Sequence, residues 1–167
     1  LQAITRLERP YGYIIIDCPP SIGILCFNAL RACEEVIVPI DMSLFSLRGV
    51  AKLTEIVILL KDKLGHDVTA RALITMYDCR TRYARQVLEK VREEFGTNVF
   101  ETVIRYTIRL RETVDCGIPI GDYDKHSIGK QDYERLAEEI MREEILSSIE
   151  KRRAETNAHD ILHRAEY

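Results

Sequence analysis

The chain has 167 residues, of which 46% are hydrophobic and 31% are charged, so it can build a core and is neither disordered nor fibrous. Its 24 Lys and Arg against 27 Asp and Glu give a formal net charge of -3, which argues against a protein that coats nucleic acid but allows a local basic patch. No apolar run approaches the roughly 18 residues that span a bilayer, and the N-terminal residues lack the apolar stretch of a secretory signal.

The first predicted element is a strand at Tyr13–Ile16. This β-branched run ends at Asp17 and two prolines, a pattern typical of a strand buried on both faces. Ser21 is a candidate N-cap for a helix that we expect to run to about Ala32. Because a central parallel strand needs a neighbour on each edge, we expect the chain to be a domain whose first part is missing.

The same alternation of strand and helix continues along the chain. The short apolar run 36–40 predicts a second strand, and 70–76 predicts a third. Between them, apolar residues at helical spacing from Leu44 to Leu64 predict a long helix that Gly65 ends.

The last third of the chain predicts two helices and a further strand. One helix covers Tyr83–Phe95 and is closed by Gly96, and 98–104 follows as the fourth strand. The final helix carries an apolar stripe formed by Tyr133, Leu136, Ala137, Ile140, Met141, Ile145 and Ile149. We expect one domain over 1–150, followed by a tail, 151–167, that is either a frayed helix or a partner-binding segment.

Strands that alternate with helices indicate the α/β class, with a parallel β-sheet flanked by helices in a doubly wound arrangement. In such a sheet, ligands collect at the carboxyl ends of the strands. Polar residues follow all four predicted strands, beginning at Asp17, Asp41, Tyr77 and Arg105. A carboxylate there suits Mg²⁺, directly or through a water, although a turn or helix-cap aspartate produces the same pattern.

Four blocks of sequence resemble one family. YGYIIIDCPPSIGILCFNAL (11–30) and EEVIVPIDMSLFSLRGVAKL (34–53) are similar to the middle of the ParA/Soj chromosome- and plasmid-partitioning ATPases. ALITMYDCRT (72–81) and the run TVIRYTIRLRETVDCGIPIGDYDKHSIGKQDYERLAEEI (102–140) are similar to the remainder. The resemblance implies a deviant-Walker P-loop NTPase that dimerises around ATP and binds DNA non-specifically as the ATP dimer. It also implies that a ParB-type partner stimulates hydrolysis.

The resemblance assigns roles to the segment after the first predicted strand. Asp17 matches the family's Walker B aspartate, which organises Mg²⁺ and its waters at the γ-phosphate, and is therefore the catalytic and metal-binding candidate. Cys18, Pro19 and Pro20 match the switch segment that senses whether that phosphate is present.

The resemblance also assigns the nucleotide-base pocket. Met76, Tyr77 and Asp78 match the loop near the adenine, and Arg105 and Tyr106 match the second side of the pocket. The family often has Pro-Arg at those last two positions, so the chain departs from the pattern there.

Arg109 aligns with a family arginine implicated in DNA contact. A second basic position of the family falls on Ile128 here, which leaves a DNA surface formed by Arg109, Arg111 and Lys125. Residues 71–111 contain nine Lys and Arg against five Asp and Glu (+4), whereas 132–167 contain six against ten (-4). This asymmetry would orient the protein on a polyanion, although arginines of a solvated helix face produce the same count.

The family's phosphate-binding loop is absent from the sequence. The one Gly-Lys pair, Gly129-Lys130, has no glycine five positions before it and is followed by Gln131. We therefore expect ATP and Mg²⁺ to be bound only by a complete protein whose P-loop lies outside this chain.

Three functions stay open. The first is a cytoplasmic, nucleoid-associated partition ATPase that acts as a homodimer with DNA and a ParB-type partner, without a membrane. The second is a non-catalytic interaction module derived from ParA. The third is a MinD-like membrane-cycling ATPase, which the acidic last helix disfavours because that class needs a basic amphipathic C-terminus.

Five cysteines are present: Cys18, Cys26, Cys33, Cys79 and Cys116. The odd number, the wide spacing and the lack of a CxxC pair argue against a disulfide framework and a zinc site. We expect reduced, mostly buried thiols in a cytosolic protein.

Overall fold

The computed structural model describes residues 4–19, 21, 23–41, 55, 58, 61–62 and 65–165, and the side chains of 147, 148 and 150–165 lie outside that description. After a 3-10 turn, the elements in chain order are α1 (Ile24–Leu30), β1 (Glu35–Ile40), β2 (Thr69–Ile74), α2 (Arg82–Phe95), α3 (Ile108–Cys116), α4 (Ile120–Tyr123) and α5 (Ile128–Ala165). The chain divides into a first unit, Leu1–Leu73 with Gln86–Val99, and a second unit, Ile74–Arg85 with Phe100–Tyr167.

The sheet of the described residues consists of β1 and β2, paired in parallel. Burial alternates along β1, where Val38 and Ile40 are buried between exposed neighbours, whereas β2 is buried continuously over its last four residues. Continuous burial is typical of an inner strand and alternation of a half-covered one. The predicted α/β class and the strands at 36–40 and 70–76 are confirmed.

The predicted strand at Tyr13–Ile16 is wrong for the structure described. The segment is neither helix nor strand, and Ile15 is 94% exposed. β-branched residues favour an extended backbone, but an extended run becomes a strand only when a neighbouring strand takes up its N–H and C=O groups. Nor does Ser21 cap α1, whose N-cap is Gly23.

The predicted fourth strand, 98–104, is reduced to two isolated parallel bridges, Ala72 with Val99 and Tyr77 with Arg105. Between the bridges, the N–H groups of Glu101 and Thr102 donate to the carboxylate of Glu139 at 2.7 and 2.9 Å. Over the middle of this segment, the Glu139 side chain of α5 therefore accepts the hydrogen bonds that a neighbouring strand would otherwise accept, and the strand is interrupted there.

The helix predicted over residues 44–64 lies largely outside the described residues. Its described positions (55, 58, 61 and 62) are helical, and Gly65 ends it with a φ of 60°, a left-handed conformation that glycine adopts without strain. α2 also matches its prediction, with Ala84, Val87 and Val91 buried at helical spacing.

The buried face of α5 contains Leu136 of the predicted apolar stripe, but the rest of that face differs from the prediction. Asp132 (1% exposed), Leu136 (7%) and Glu139 (5%) are buried, whereas Tyr133 (46%) and Ile145 (61%) are exposed. Two carboxylates occupy inward positions because each bonds to backbone N–H groups, which offsets the cost of burying charge. The helical backbone continues past residue 150 to Ala165. No described helix combines the length and apolar content that crossing a membrane requires.

The expectation of mostly buried thiols is wrong. Cys18, Cys79 and Cys116 are exposed, and Cys26 and Cys33 are partly exposed. All five are free thiols.

Candidate functional site

The second unit aligns the ends of two extended segments. The N–H of Tyr77 donates to the carbonyl of Ile104 at 3.0 Å, and the N–H of Tyr106 donates to the carbonyl of Tyr77 at 3.0 Å. The predicted base-pocket residues Met76–Asp78 therefore lie beside Arg105 and Tyr106. All of them stand at the carboxyl ends of parallel segments, where α/β folds collect ligands.

Met76 has a strained backbone at the start of this site. Its φ is 53°, in the left-handed region that residues other than glycine rarely adopt. Such a conformation costs of order 1 kcal/mol and persists only where the surroundings hold it, here through the hydrogen bonds of Tyr77. The Met76 side chain is 53% exposed. The strained turn thus presents a flexible apolar side chain to solvent next to the bridge.

Tyr106 provides an exposed aromatic ring on the other segment. The ring is 44% exposed, and the guanidinium of Arg111 lies 5.4 Å from its centroid in cation–π geometry. Arg111 was predicted to contact DNA, whereas the structure pairs it with a predicted base-pocket residue. An aromatic ring backed by a cation is a surface on which a nucleobase stacks.

Asp78 is engaged within its own turn. Its carboxylate accepts hydrogen bonds from Nε and Nη2 of Arg80 at 2.9 and 2.8 Å, and from the Arg80 backbone N–H at 3.1 Å. The hydrogen bonds from the Arg80 side chain, followed by the one from its backbone, lower the pKa of Asp78 to about 2. Thr81 then caps α2 by accepting from the N–H of Ala84 at 3.1 Å. Asp78 therefore shapes the turn that leads into α2.

Arg105 is held by a residue that the sequence reasoning missed. The carboxylate of Asp132 accepts from the Arg105 backbone N–H at 3.0 Å, from Nε at 2.9 Å and from Nη2 at 2.6 Å. These side-chain hydrogen bonds raise the pKa of Arg105. The guanidinium of Arg105 is thus committed to α5, and its role at the site is to hold the backbone before Tyr106.

Glu139 repeats this arrangement two helical turns later, where it accepts from the N–H groups of Glu101 and Thr102. The seven residues from Asp132 to Glu139 advance about 10.5 Å along a helix. Three to four extended residues advance about 10 to 13 Å. The spacing of the two carboxylates along α5 therefore matches the spacing of the backbone N–H groups that they accept from in the segment 101–105. The signal in the sequence was available: Asp132, Leu136 and Glu139 share one helix face at i, i+4 and i+7.

The predicted DNA contact Arg109 already has anionic partners. Its Nη1 donates to Oε2 of Glu112 at 3.0 Å, and its Nε lies 3.8 Å from Oδ2 of Asp124. The hydroxyl of Tyr123 donates to the same oxygen of Glu112 at 3.1 Å. The Arg109 side chain is 52% exposed. Lys125 is also exposed. The structure therefore presents Arg109 to solvent as one guanidinium beside two carboxylates, those of Glu112 and Asp124.

The Walker B candidate lies in the first unit. Asp17 is exposed, and its carboxylate makes no hydrogen bond or ion pair with another described residue. An accessible carboxylate of this kind suits Mg²⁺ or a magnesium-bound water, which require oxygen ligands. Pro19 is also exposed, and Pro20 lies outside the described residues.

Gly129, half of the lone Gly-Lys pair, has a packing role. A Cβ added there would lie 2.9 Å from Cγ of Leu110 and 3.1 Å from Cγ2 of Thr107. Glycine is thus required because the first turn of α5 packs against the start of α3, which agrees with the view that this pair is not a phosphate loop.

Comparison with known proteins adds sequence relatives. A family model described as an AAA domain matches residues 1–70. The chain is 39% identical over 152 residues to the chromosome partitioning protein ParA of Myxococcus xanthus, covering 90% of this chain and 54% of the relative. It is 37% identical over 141 residues to the chromosome-partitioning ATPase Soj of Treponema pallidum, covering 84% and 56%. The chain therefore spans about half the length of the curated relatives it matches.

A solved structure supports the same fold. Cobyrinic acid a,c-diamide synthase from Mycobacterium smegmatis, with a bound ATP analog and magnesium, aligns with a TM-score of 0.69 and 30% identity, covering 84% of this chain and 52% of the synthase. The sequence blocks, the parallel α/β arrangement and the curated relatives agree, and the chain belongs to the ParA/Soj family of chromosome-partitioning proteins.

Proposed function

We propose that this chain carries three functional parts of a ParA-type partition ATPase: the Walker B carboxylate, the base-binding edge and a DNA-facing surface. The observation that carries the proposal is the Tyr77–Arg105 bridge, which sets Met76–Asp78 beside Arg105 and Tyr106. In the proposed complete protein, the base of ATP binds at this edge, a P-loop outside this chain holds the phosphates, and the ATP-bound homodimer binds DNA non-specifically. A ParB-type partner then stimulates hydrolysis, and the protein acts in chromosome or plasmid segregation at the nucleoid.

The base-binding part rests on Tyr106 and Met76. Tyr106 offers an exposed ring backed by Arg111, and Met76 offers an exposed apolar side chain on the paired segment. Arg105 contributes through its backbone position, since Asp132 occupies its guanidinium. Stacking of one base on an aromatic ring contributes about 1–3 kcal/mol, so the base alone would bind weakly.

The metal-binding part rests on Asp17, whose accessible carboxylate would hold Mg²⁺ or one of its waters. Bound Mg²⁺ would supply charge neutralisation at the phosphates during attack by water. Pro19 and Pro20, which follow in the chain, match the segment proposed to sense the γ-phosphate.

The proposal is tested by calorimetry with Mg-ATP on the complete gene product. Tyr106→Ala is expected to raise the Kd for ATP about tenfold, in line with the loss of one stacking contact. Tyr83→Ala is the matched control, because Tyr83 is also 44% exposed but lies on α2. Asp17→Ala is expected to abolish hydrolysis while circular dichroism shows an unchanged fold. Unchanged ATP affinity in Tyr106→Ala would contradict the proposed base edge.

One observation favours the interaction-module alternative. The side chains of Asp78, Arg105 and Arg109, all predicted to bind nucleotide or DNA, are paired within the chain. A module that binds a protein partner without nucleotide would show no heat of binding with Mg-ATP in any form of the protein. Binding of Mg-ATP by the 167-residue chain alone in the low-micromolar range would exclude it.

A further inference from the structure

The structure shows which cations of the basic stretch 71–111 are neutralised within the chain. Nine Lys and Arg lie in this stretch. Four of its arginines form ion pairs with carboxylates: Arg71 with Glu35, Arg80 with Asp78, Arg105 with Asp132 and Arg109 with Glu112. A fifth, Arg111, lies against the ring of Tyr106. The positive charge that is free to meet an external anion must therefore lie elsewhere in the stretch.

Two arginines at the start of α2 supply this free charge. Arg82 and Arg85, which we call the α2 arginine pair, are both exposed. Neither guanidinium makes a hydrogen bond or an ion pair within the part of the chain that the structure describes. Residues three apart on a helix are neighbours, with Cβ atoms about 5–6 Å apart. The pair therefore presents two unpaired guanidinium groups side by side on one face of α2.

Helix stability does not explain the position of the pair. The N-terminal end of a helix carries partial positive charge, so cations in the first turn destabilise it. The first turn of α2 contains no acidic residue, and residues 79–88 contain three arginines and no Asp or Glu. The acids of α2, Glu89, Glu93 and Glu94, lie in its second half. The sequence thus places uncompensated cations where the helix favours anions, which leaves them available to a partner that carries negative charge.

We propose that the α2 arginine pair contacts the phosphate backbone of duplex DNA. A guanidinium binds phosphate oxygens through two parallel N–H···O hydrogen bonds, and such contacts position a protein on DNA without reading its sequence. The inference rests on the proposed function, in which the ATP-bound protein binds DNA non-specifically. It adds a set of contacts separate from Arg109, whose guanidinium already has the carboxylates of Glu112 and Asp124 beside it.

Fluorescence anisotropy with a labelled random-sequence duplex tests the inference on the complete protein with Mg-ATP, at several salt concentrations. The double variant Arg82→Ala with Arg85→Ala is expected to bind about tenfold more weakly at low salt. The slope of log K against log salt should fall by about two for each protomer, because each lost phosphate contact removes about one. Arg82→Lys with Arg85→Lys keeps both charges and should retain the wild-type slope.

Lys90→Ala is the matched control. Lys90 is an exposed cation of the same helix, but Glu89, Glu93 and Glu94 surround it in the sequence. Its removal changes the net charge by the same amount as either arginine does. The affinity for DNA should change less than about twofold, since charges that do not touch a phosphate are screened by salt beyond about 10 Å. A loss of affinity equal to that of a single arginine variant would overturn the inference, because net charge alone would then account for the effect.

Thermal unfolding and calorimetry with Mg-ATP separate DNA contact from other roles of the pair. The double alanine variant should unfold at the wild-type temperature or above it, because two cations leave the start of a helix. Its Kd for ATP should equal that of the wild type. A lower unfolding temperature or weaker ATP binding would assign the pair a structural or nucleotide role and overturn the inference. A wild-type salt slope in this variant would overturn the inference alone, whereas failure of the wild-type protein to bind DNA would overturn the proposed function as well.

Discussion

The guanidinium of Arg105 and the carboxylate of Asp132 form a bidentate pair that joins an extended segment to the first turns of α5. Nη2 of Arg105 lies 2.6 Å from Oδ1, and Nε lies 2.9 Å from Oδ2. The Asp132 side chain is 2% exposed and that of Arg105 is 34% exposed. The same carboxylate accepts the Arg105 backbone N–H, so one buried anion fixes both the main chain and the side chain.

Asp132→Ala should therefore destabilise the protein strongly. Removing one partner of a buried pair costs about 3–5 kcal/mol, and we expect about 3 because the Arg105 side chain still reaches solvent. Glu138→Ala, at an exposed position of the same helix, is the control and should change the free energy of unfolding by less than about 0.5 kcal/mol. Urea unfolding measures both. Equal stability of the two variants would show that the pair contributes nothing net.

Asp78 should give stability an acid dependence. Its pKa is lowered from 3.8 to about 2 in the folded protein, so its contribution is present above pH 3.8 and lost as the pH falls toward 2. Titration of the Asp78 carboxyl carbon by NMR measures this value. Arg80→Ala should return the pKa part of the way toward 3.8, because it removes the side-chain hydrogen bonds, which are the largest cause of the shift, while the backbone N–H of residue 80 remains. A variant that still titrates near 2 would mean that other groups hold the charge.

Gly129→Ala should destabilise the junction of α3 and α5. The added methyl group meets the branch carbon of Leu110 at 2.9 Å, and overpacking of this kind costs about 1–3 kcal/mol. The gain in helix propensity, about 1 kcal/mol, offsets part of this, so we expect a net loss of about 1 kcal/mol. In Gly121→Ala the nearest contact is a lysine Cε at 3.8 Å, and that variant should keep wild-type stability. Thermal unfolding compares the two, and a stabilised Gly129→Ala would show that Leu110 moves aside without cost.

Binding to non-specific DNA should respond in opposite directions to two changes around Arg109. Arg109→Ala should weaken binding about equally across sequences and flatten its salt dependence. Glu112→Gln should strengthen binding, because it removes the carboxylate 3.0 Å from the guanidinium. Fluorescence anisotropy at several salt concentrations measures both. Unchanged affinity at low salt in Arg109→Ala would remove this residue from the DNA surface.

The sequence by itself determined the elements whose signals are local. β1 and β2 follow from short apolar runs, and α2 follows from apolar residues at helical spacing up to Gly96, because burial of one face requires that spacing. The resemblance to the family also followed from contiguous blocks of sequence, because such blocks can be matched without knowing which residues pack against them.

Only the tertiary structure decided which partners the polar groups take. Asp132 and Glu139 look like surface acids of a charged helix, yet they are buried because the segment 101–105 brings its N–H groups to them. The run Tyr13–Ile16 has every local property of a strand, but strand formation depends on a neighbour that periodicity does not report. Hydrogen bonds between residues distant in the chain form only when the chain folds. The apolar pattern therefore predicted helices such as α2, but it did not identify Asp132 and Glu139 as the residues that position the site.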